Sequence, residues 1–102
     1  MGGFDLDKLD DLIHSRLRLG VTAFLASSES ASFTELKDAL NVTQGNLSIQ
    51  LRKLEDAGYV SIDKRIVGRK PLTTVRLTDE GRAAFQAYLE ALSGVIGKTP
   101  GQ

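Results

Sequence analysis

The chain contains no cysteine, so neither a disulfide framework nor a thiolate metal site is available to it. It has one histidine, His14, which cannot build a zinc centre without carboxylate help at suitable spacing. No apolar run approaches the roughly 20 residues needed to span a bilayer. The first eleven residues are acidic and lack the basic-then-apolar order of a secretory signal. The expectation is a soluble, cytoplasmic protein without a cofactor. Catalysis is poorly served as well: one histidine, no cysteine and no glycine-rich phosphate loop leave no convincing catalytic constellation.

What is present suffices for one core. With 102 residues, 41% of them hydrophobic, the chain can bury a single compact interior but hardly two. A single domain is expected over residues 1–97, followed by a flexible tail at 98–102, with no internal repeat and no interdomain linker. Net charge is zero, yet it is polarised. Residues 1–43 hold four basic and seven acidic side chains; residues 44–76 hold seven basic and three acidic. For binding a polyanion the local field matters more than the total.

Periodicity divides the chain into elements. Leu6, Leu9, Leu12, Ile13 and Leu17 recur every three or four positions, as in an amphipathic helix, with Gly20 expected to interrupt or kink it before Val21, Phe24 and Leu25 resume. The polar stretch SSESAS, residues 27–32, reads as a connection. Ser32 with Glu35 fits a capping box opening a short helix near residues 33–40. Only Asn41, Val42 and Thr43 separate it from the next apolar stripe, Leu47, Leu51 and Leu54, so the second helix must turn sharply away. Thr43 is its expected N-cap and Gly58 its stop. Two helices joined by about three residues make a helix-turn-helix, here at about residues 33–57.

The period then changes. Val60, Ile62 and Ile66 alternate with Ser61, Asp63 and Arg65, and Val75 and Leu77 are expected to face inward across a turn at VGRKP, residues 67–71. This predicts a hairpin over about residues 59–77 with Arg69 and Lys70 at its tip. A last helix over about residues 79–96 is capped by Thr78, with Asp79 and Glu80 in its first turn. It carries two apolar rows: Phe85, Leu89, Leu92 and Ile96, and Ala84, Tyr88, Ala91 and Val95. One row suffices to dock a helix on its own domain; the second needs another partner. The expected fold is mainly α with a small β-hairpin wing, an α+β winged helix-turn-helix.

In this order the sequence resembles winged helix-turn-helix transcriptional regulators of the group that includes the MarR and ArsR families, nearest to a small single-domain MarR-like subgroup. The resemblance rests on LDDLIHSRLRLGVTAFL, SFTELKDALNVTQGNLSIQLRKLEDAGYV and GRKPLTTVRLTDEGRAAFQAYL, which together cover most of residues 9–89. It implies a homodimer that binds duplex DNA, with the terminal helices as the dimer interface. Combined with the apolar rows, that interface is expected at Leu6, Leu9, Ile13, Phe85, Tyr88, Leu89, Leu92, Val95 and Ile96. The family also implies a possible small-molecule effector, which no residue here identifies. Many relatives have proline where Arg16 stands and arginine or lysine where Gly20 stands. Metal-sensing relatives use cysteine or histidine clusters, which this chain lacks.

The helix after Thr43 poses its own question, because the side opposite its leucines mixes amides, cations and a bare isoleucine. At ~100° per residue, Gly45, Ile49 and Arg52 lie on the far side from Leu47, flanked by Asn46 and Lys53. The major groove admits one helix and offers donors, acceptors and thymine methyls. Arg52 suits a guanine edge or a phosphate, Asn46 and Gln50 suit adenine, and Ile49 suits a thymine methyl. Gly45 permits close approach of the backbone, and the early amides of Gln44 to Asn46 suit a phosphate. Thr43, Ser48, Lys53, Lys64, Arg65, Arg69 and Lys70 complete the expected DNA-facing set, with Arg76 and Thr34 as further possibilities. Which wing residues face DNA depends on strand register. Arg18 is expected to pair with an acidic neighbour near the dimer interface, and His14 to be packed or at a solvent edge. The competing reading is a winged-helix protein-interaction module that never touches DNA; the basic wing argues against it.

Overall fold

The structure, a computed structural model, describes residues 6–96, with the side chain of Ile96 excluded; the expected tail at 98–102 lies outside the described residues. A single 3-10 turn, Leu6–Lys8, leads to α1 (Arg16–Ala26), β1 (Ala31–Ser32), α2 (Phe33–Leu40), α3 (Gln44–Asp56), β2 (Val60–Val67), β3 (Lys70–Leu77) and α4 (Asp79–Ile96). The strands form one antiparallel sheet in the order β1-β3-β2.

The first helix starts ten residues later than the leucine spacing suggests. The carboxylate of Asp10 accepts hydrogen bonds from the amides of Leu12 (2.8 Å) and Ile13 (3.3 Å), closing a local turn. That side chain competes with helical hydrogen bonding, as aspartate commonly does. Leu9 and Ile13 are still buried, but against α4 rather than along a helix of their own. Gly20 does not interrupt α1. A Cβ there would lie 3.0 Å from Leu40 Cδ2, so the glycine lets α1 and α2 approach closely.

The helix-turn-helix follows its local signals. Ser32 Oγ accepts from the Glu35 amide and the Glu35 carboxylate accepts from the Ser32 amide, completing the capping box. Asn41 ends α2 in the left-handed region (φ 53°), and the amides of Asn41 and Val42 bond back to Asp38 and Lys37. This reversal redirects the chain within three residues. Thr43 Oγ1 then accepts from the Asn46 amide at 3.2 Å and opens α3. At the other end Gly58 (φ 82°) stops it.

Leu47, Leu51 and Leu54 of α3 are buried with Val21, Leu25, Leu36, Val60, Val75 and Leu77 in the main core. Full burial of one such side chain contributes ~1.5–3 kcal/mol, which explains why the stripe, not the polar face, sets the orientation of α3. A second cluster joins Leu9 and Ile13 to Tyr88 on α4, with Ala84, Phe85, Ala91, Leu92 and Val95 packed around them.

The wing spans the expected residues, but its strands run further and its turn is tighter than VGRKP suggests. Pairing runs from Val60↔Leu77 to Val67↔Lys70, leaving only Gly68 (φ 56°) and Arg69 (φ 71°) at the tip. Two consecutive left-handed residues match the right-handed twist of a two-residue hairpin. The strand β1 had no counterpart in the sequence reading, which placed a polar connection there. It comprises two residues, paired Ala31↔Val75 and Ser32↔Thr74.

Candidate nucleic-acid interface

One side of α3 is buried and the other is open. Ile49 is 56% exposed, where burying it would be favourable, and Gln44, Gly45, Asn46, Ser48, Arg52 and Lys53 surround it in exposed positions. Nothing lies within 4 Å of a Cβ built on Gly45, so the backbone there is approachable. Beside this face runs an open groove of about 690 Å³. It is lined by Gln44, Ser48 and Arg52 of α3, Thr34 of α2, and Lys64 and Thr73 of the wing, among others.

Strand register sorts the wing's cations. Side chains alternate along a strand, and Lys64, paired with Thr73, lines the groove with Ile62. Arg65 is the next residue and points to the other face of the ribbon, where its Nε lies 2.5 Å from an Asp63 carboxylate oxygen. Both side chains are largely exposed, so the pair adds little to stability. Arg76 shares that outer face by the same alternation. Arg69 and Lys70 stand exposed at the hairpin tip.

Two members of the expected set are already engaged within the chain. The Asn46 amide serves the Thr43 cap, leaving the amides of Gln44 and Gly45 for an anion. Gln50 is half-buried on the flank of α3 toward α1. Its Oε1 accepts from Arg18 Nη1 and its Nε2 donates to Asn46 Oδ1. Among the described residues Arg18 pairs with no acidic neighbour; its Nε donates instead to the Leu12 carbonyl at 2.6 Å. No periodicity links residues 18 and 50, which are brought together only by the packing of α1 on α3.

Thr73 was absent from the sequence-derived set; its place opposite Lys64 follows once register is known. Glu55 also lines the groove and Asp56 lies beside Ile49 and Lys53, so the surface is mixed in charge rather than uniformly basic. His14 is exposed, with Nδ1 2.9 Å from the Tyr88 hydroxyl. Of the expected interface residues, Leu9, Ile13 and Tyr88 are buried within the chain, Phe85, Leu92 and Val95 are half-buried, and Leu6 and Leu89 are exposed; the Ile96 side chain lies outside the described residues. Among the described residues no group of three His, Asp or Glu is placed to hold a metal ion. No described helix is long and apolar enough to cross a membrane.

A family profile described as a winged helix DNA-binding domain matches residues 17–96. An uncharacterised protein of Methanocaldococcus jannaschii is 36% identical over 78 residues, spanning 76% of this chain and 85% of its own length. Among solved structures, a transcriptional regulator homologue from Pyrococcus horikoshii superposes with a TM-score of 0.75 at 34% identity, covering 88% of this chain and 94% of that one. A structure described as a MarR-family regulator from Enterococcus faecalis gives a TM-score of 0.70 at 28% identity, covering 81% and 74%. With α3 capped and open-faced beside a basic hairpin, and the family match spanning both, the chain belongs to the winged helix DNA-binding domain family as a MarR-like regulator rather than an enzyme.

Proposed function

We propose that this chain is a sequence-specific transcriptional regulator that binds duplex DNA as a homodimer, with α3 in the major groove and the wing on the adjacent minor groove and backbone. The observation that carries the reading is the exposed Ile49 among Gln44, Asn46 and Arg52, on the face of α3 directly away from its buried leucines. An apolar side chain held in water there has a use against a thymine methyl. Arg52, Lys53, Lys64, Arg69 and Lys70 supply phosphate contacts, which give affinity that falls steeply with salt. Arg65 and Arg76, on the outer face of the ribbon, contribute to the field more than to contacts.

The apolar residues of α4 are shared between the chain's own core and the dimer interface. Tyr88 is consumed inside the chain, against Leu9, Ile13 and His14. Leu89 is 43% exposed and Leu6 62%, and these offer apolar area to a second copy. A twofold would then set two α3 helices into successive major grooves, about one helical turn apart.

The test is a gel-shift titration on genomic fragments recovered with the purified protein. Wild-type protein selects a dyad-symmetric site, and the double variant Arg52→Ala/Arg69→Ala keeps its fold by circular dichroism but loses affinity at least tenfold. Equal binding by the double variant would overturn the assignment.

A further inference from the structure

Arg18, Gln50 and Asn46 form a hydrogen-bond chain running from α1 to the outward face of α3. Arg18 Nη1 donates to Gln50 Oε1 (2.5 Å), and Gln50 Nε2 donates to Asn46 Oδ1 (3.1 Å). Arg18 Nε is tied at the same time to the Leu12 carbonyl at 2.6 Å, so the guanidinium is held at two points. The polarity of this chain follows from chemistry alone. A guanidinium has only donors, so the Gln50 atom facing it must be the oxygen. The other end of that amide is then the NH₂, and the Asn46 atom facing it must again be the oxygen.

We infer that Arg18, a residue of α1 outside the expected DNA-facing set, determines base preference by fixing which end of the Asn46 amide is presented outward. The inference rests on the proposed seating of α3 in the major groove. Held this way, Asn46 presents its NH₂ as a donor. Such a group favours base edges rich in acceptors, guanine with N7 and O6 or thymine with O4, over cytosine, whose N4 is a donor. Gln50 spends one oxygen lone pair on Arg18 and one NH₂ hydrogen on Asn46, so its amide is oriented by the protein rather than free to turn toward a base. Asn46 and Gln50 are therefore not two parallel adenine readers but the last two links of one relay. Arg18 acts as a positioning residue.

The relay can be reversed without breaking it. In Gln50→Glu, a carboxylate accepts from Arg18 and also from the Asn46 NH₂, so the Asn46 amide turns over and presents its oxygen. In Arg18→Met the imposed polarity is lost and the amide is free to present either end.

The experiment is selection of bound sequences from a random duplex library by wild-type protein and by Arg18→Met, Gln50→Glu and Asn46→Ala. The position to read is the one whose preference disappears in Asn46→Ala. There the wild type favours guanine or thymine over cytosine roughly tenfold, a typical size for one good base contact. Arg18→Met flattens that preference, and Gln50→Glu moves it to cytosine or adenine while preferences elsewhere in the site persist. Retention of the wild-type base by both Arg18→Met and Gln50→Glu would overturn the relay.

The side-chain amide resonances of free protein supply a second readout that does not depend on DNA. The Asn46 NH₂ signals shift in Arg18→Met if the relay exists, and stay in place if it does not. A wild-type protein that selects no sequence at all, yet shows this shift, would sink the DNA reading and leave the relay standing.

Discussion

Gly81 stands so close to Tyr59 that a Cβ on residue 81 would lie 2.0 Å from the Tyr59 carbonyl oxygen. Around this contact the start of α4 is fastened to the joint between α3 and β2. The Thr78 amide donates to the Tyr59 carbonyl, the Thr78 hydroxyl donates to the Gly58 carbonyl, and the Gly81 amide donates back to Thr78 Oγ1. Since the obstructing atoms are backbone, a side chain here cannot be accommodated by a rotamer change. Gly81→Ala is expected to destabilise the fold by on the order of 3 kcal/mol, and Thr78→Val, which removes the cap, by about 1–2 kcal/mol. Urea denaturation midpoints measure both, and an unchanged midpoint for Gly81→Ala would show that the contact is relieved at no cost.

At the wing tip, Arg69 occupies the left-handed region at φ 71°, where a residue with a Cβ is disfavoured by roughly 1 kcal/mol. Arg69→Gly should therefore leave thermal stability unchanged or raise it, while weakening DNA binding. The dependence of log affinity on log salt should become shallower by about one, the share of one phosphate contact. Reduced stability together with unchanged DNA affinity would contradict both halves of the prediction.

Tyr59 donates a hydrogen bond to the Asp10 carboxylate at 2.5 Å. This bond, with burial and the nearby charges of Asp10 and Glu80, pushes the phenol up from its ordinary 10.0 to about 12. The folded protein thus holds the proton more tightly than the unfolded chain does. The stability this confers is complete below pH 10 and is lost as pH rises through about 12. Tyr59→Phe should lose about 1 kcal/mol at neutral pH and fall less steeply than wild type across that alkaline window. Denaturant titrations at several pH values separate the two; parallel wild-type and variant curves would refute the linkage.

Dimerisation through the exposed Leu89 of α4 makes its own demand. Leu89→Glu places a charge at an exposed position without touching the buried Tyr88, so the fold should survive and association should weaken. Light scattering over a concentration series should give a dimer for wild type at micromolar concentration and a monomer for the variant. A monomeric wild type would remove the interface.

The local grammar of the helix-turn-helix was legible in the amino-acid sequence. Ser32 with Glu35, Thr43 before its helix and Gly58 after it act over three or four residues, a range at which the chain is its own context. The leucine stripe of α3 was legible for a related reason: burial is the largest favourable contribution, so a stripe at helical spacing implies an inside and an outside. From that alone followed the outward position of Ile49 and Arg52. The leucine spacing ahead of α1 misled because Leu9 and Ile13 are buried equally well by a turn packed on α4. The Asp10 carboxylate, by bonding two amides, decided for the turn.

What tertiary structure alone decided is whatever joins residues far apart in sequence. Strand register set Lys64 in the groove and Arg65 on the far face; two-residue β1 had too short a pattern to read and exists only through its pairing with β3. The packing of α1 against α3 turned Gln50 from an expected base reader into a link to Arg18. Short-range signals specify where helices begin, end and face, because their energetics are local. Which polar groups remain free for a partner depends on neighbours that only the folded chain supplies.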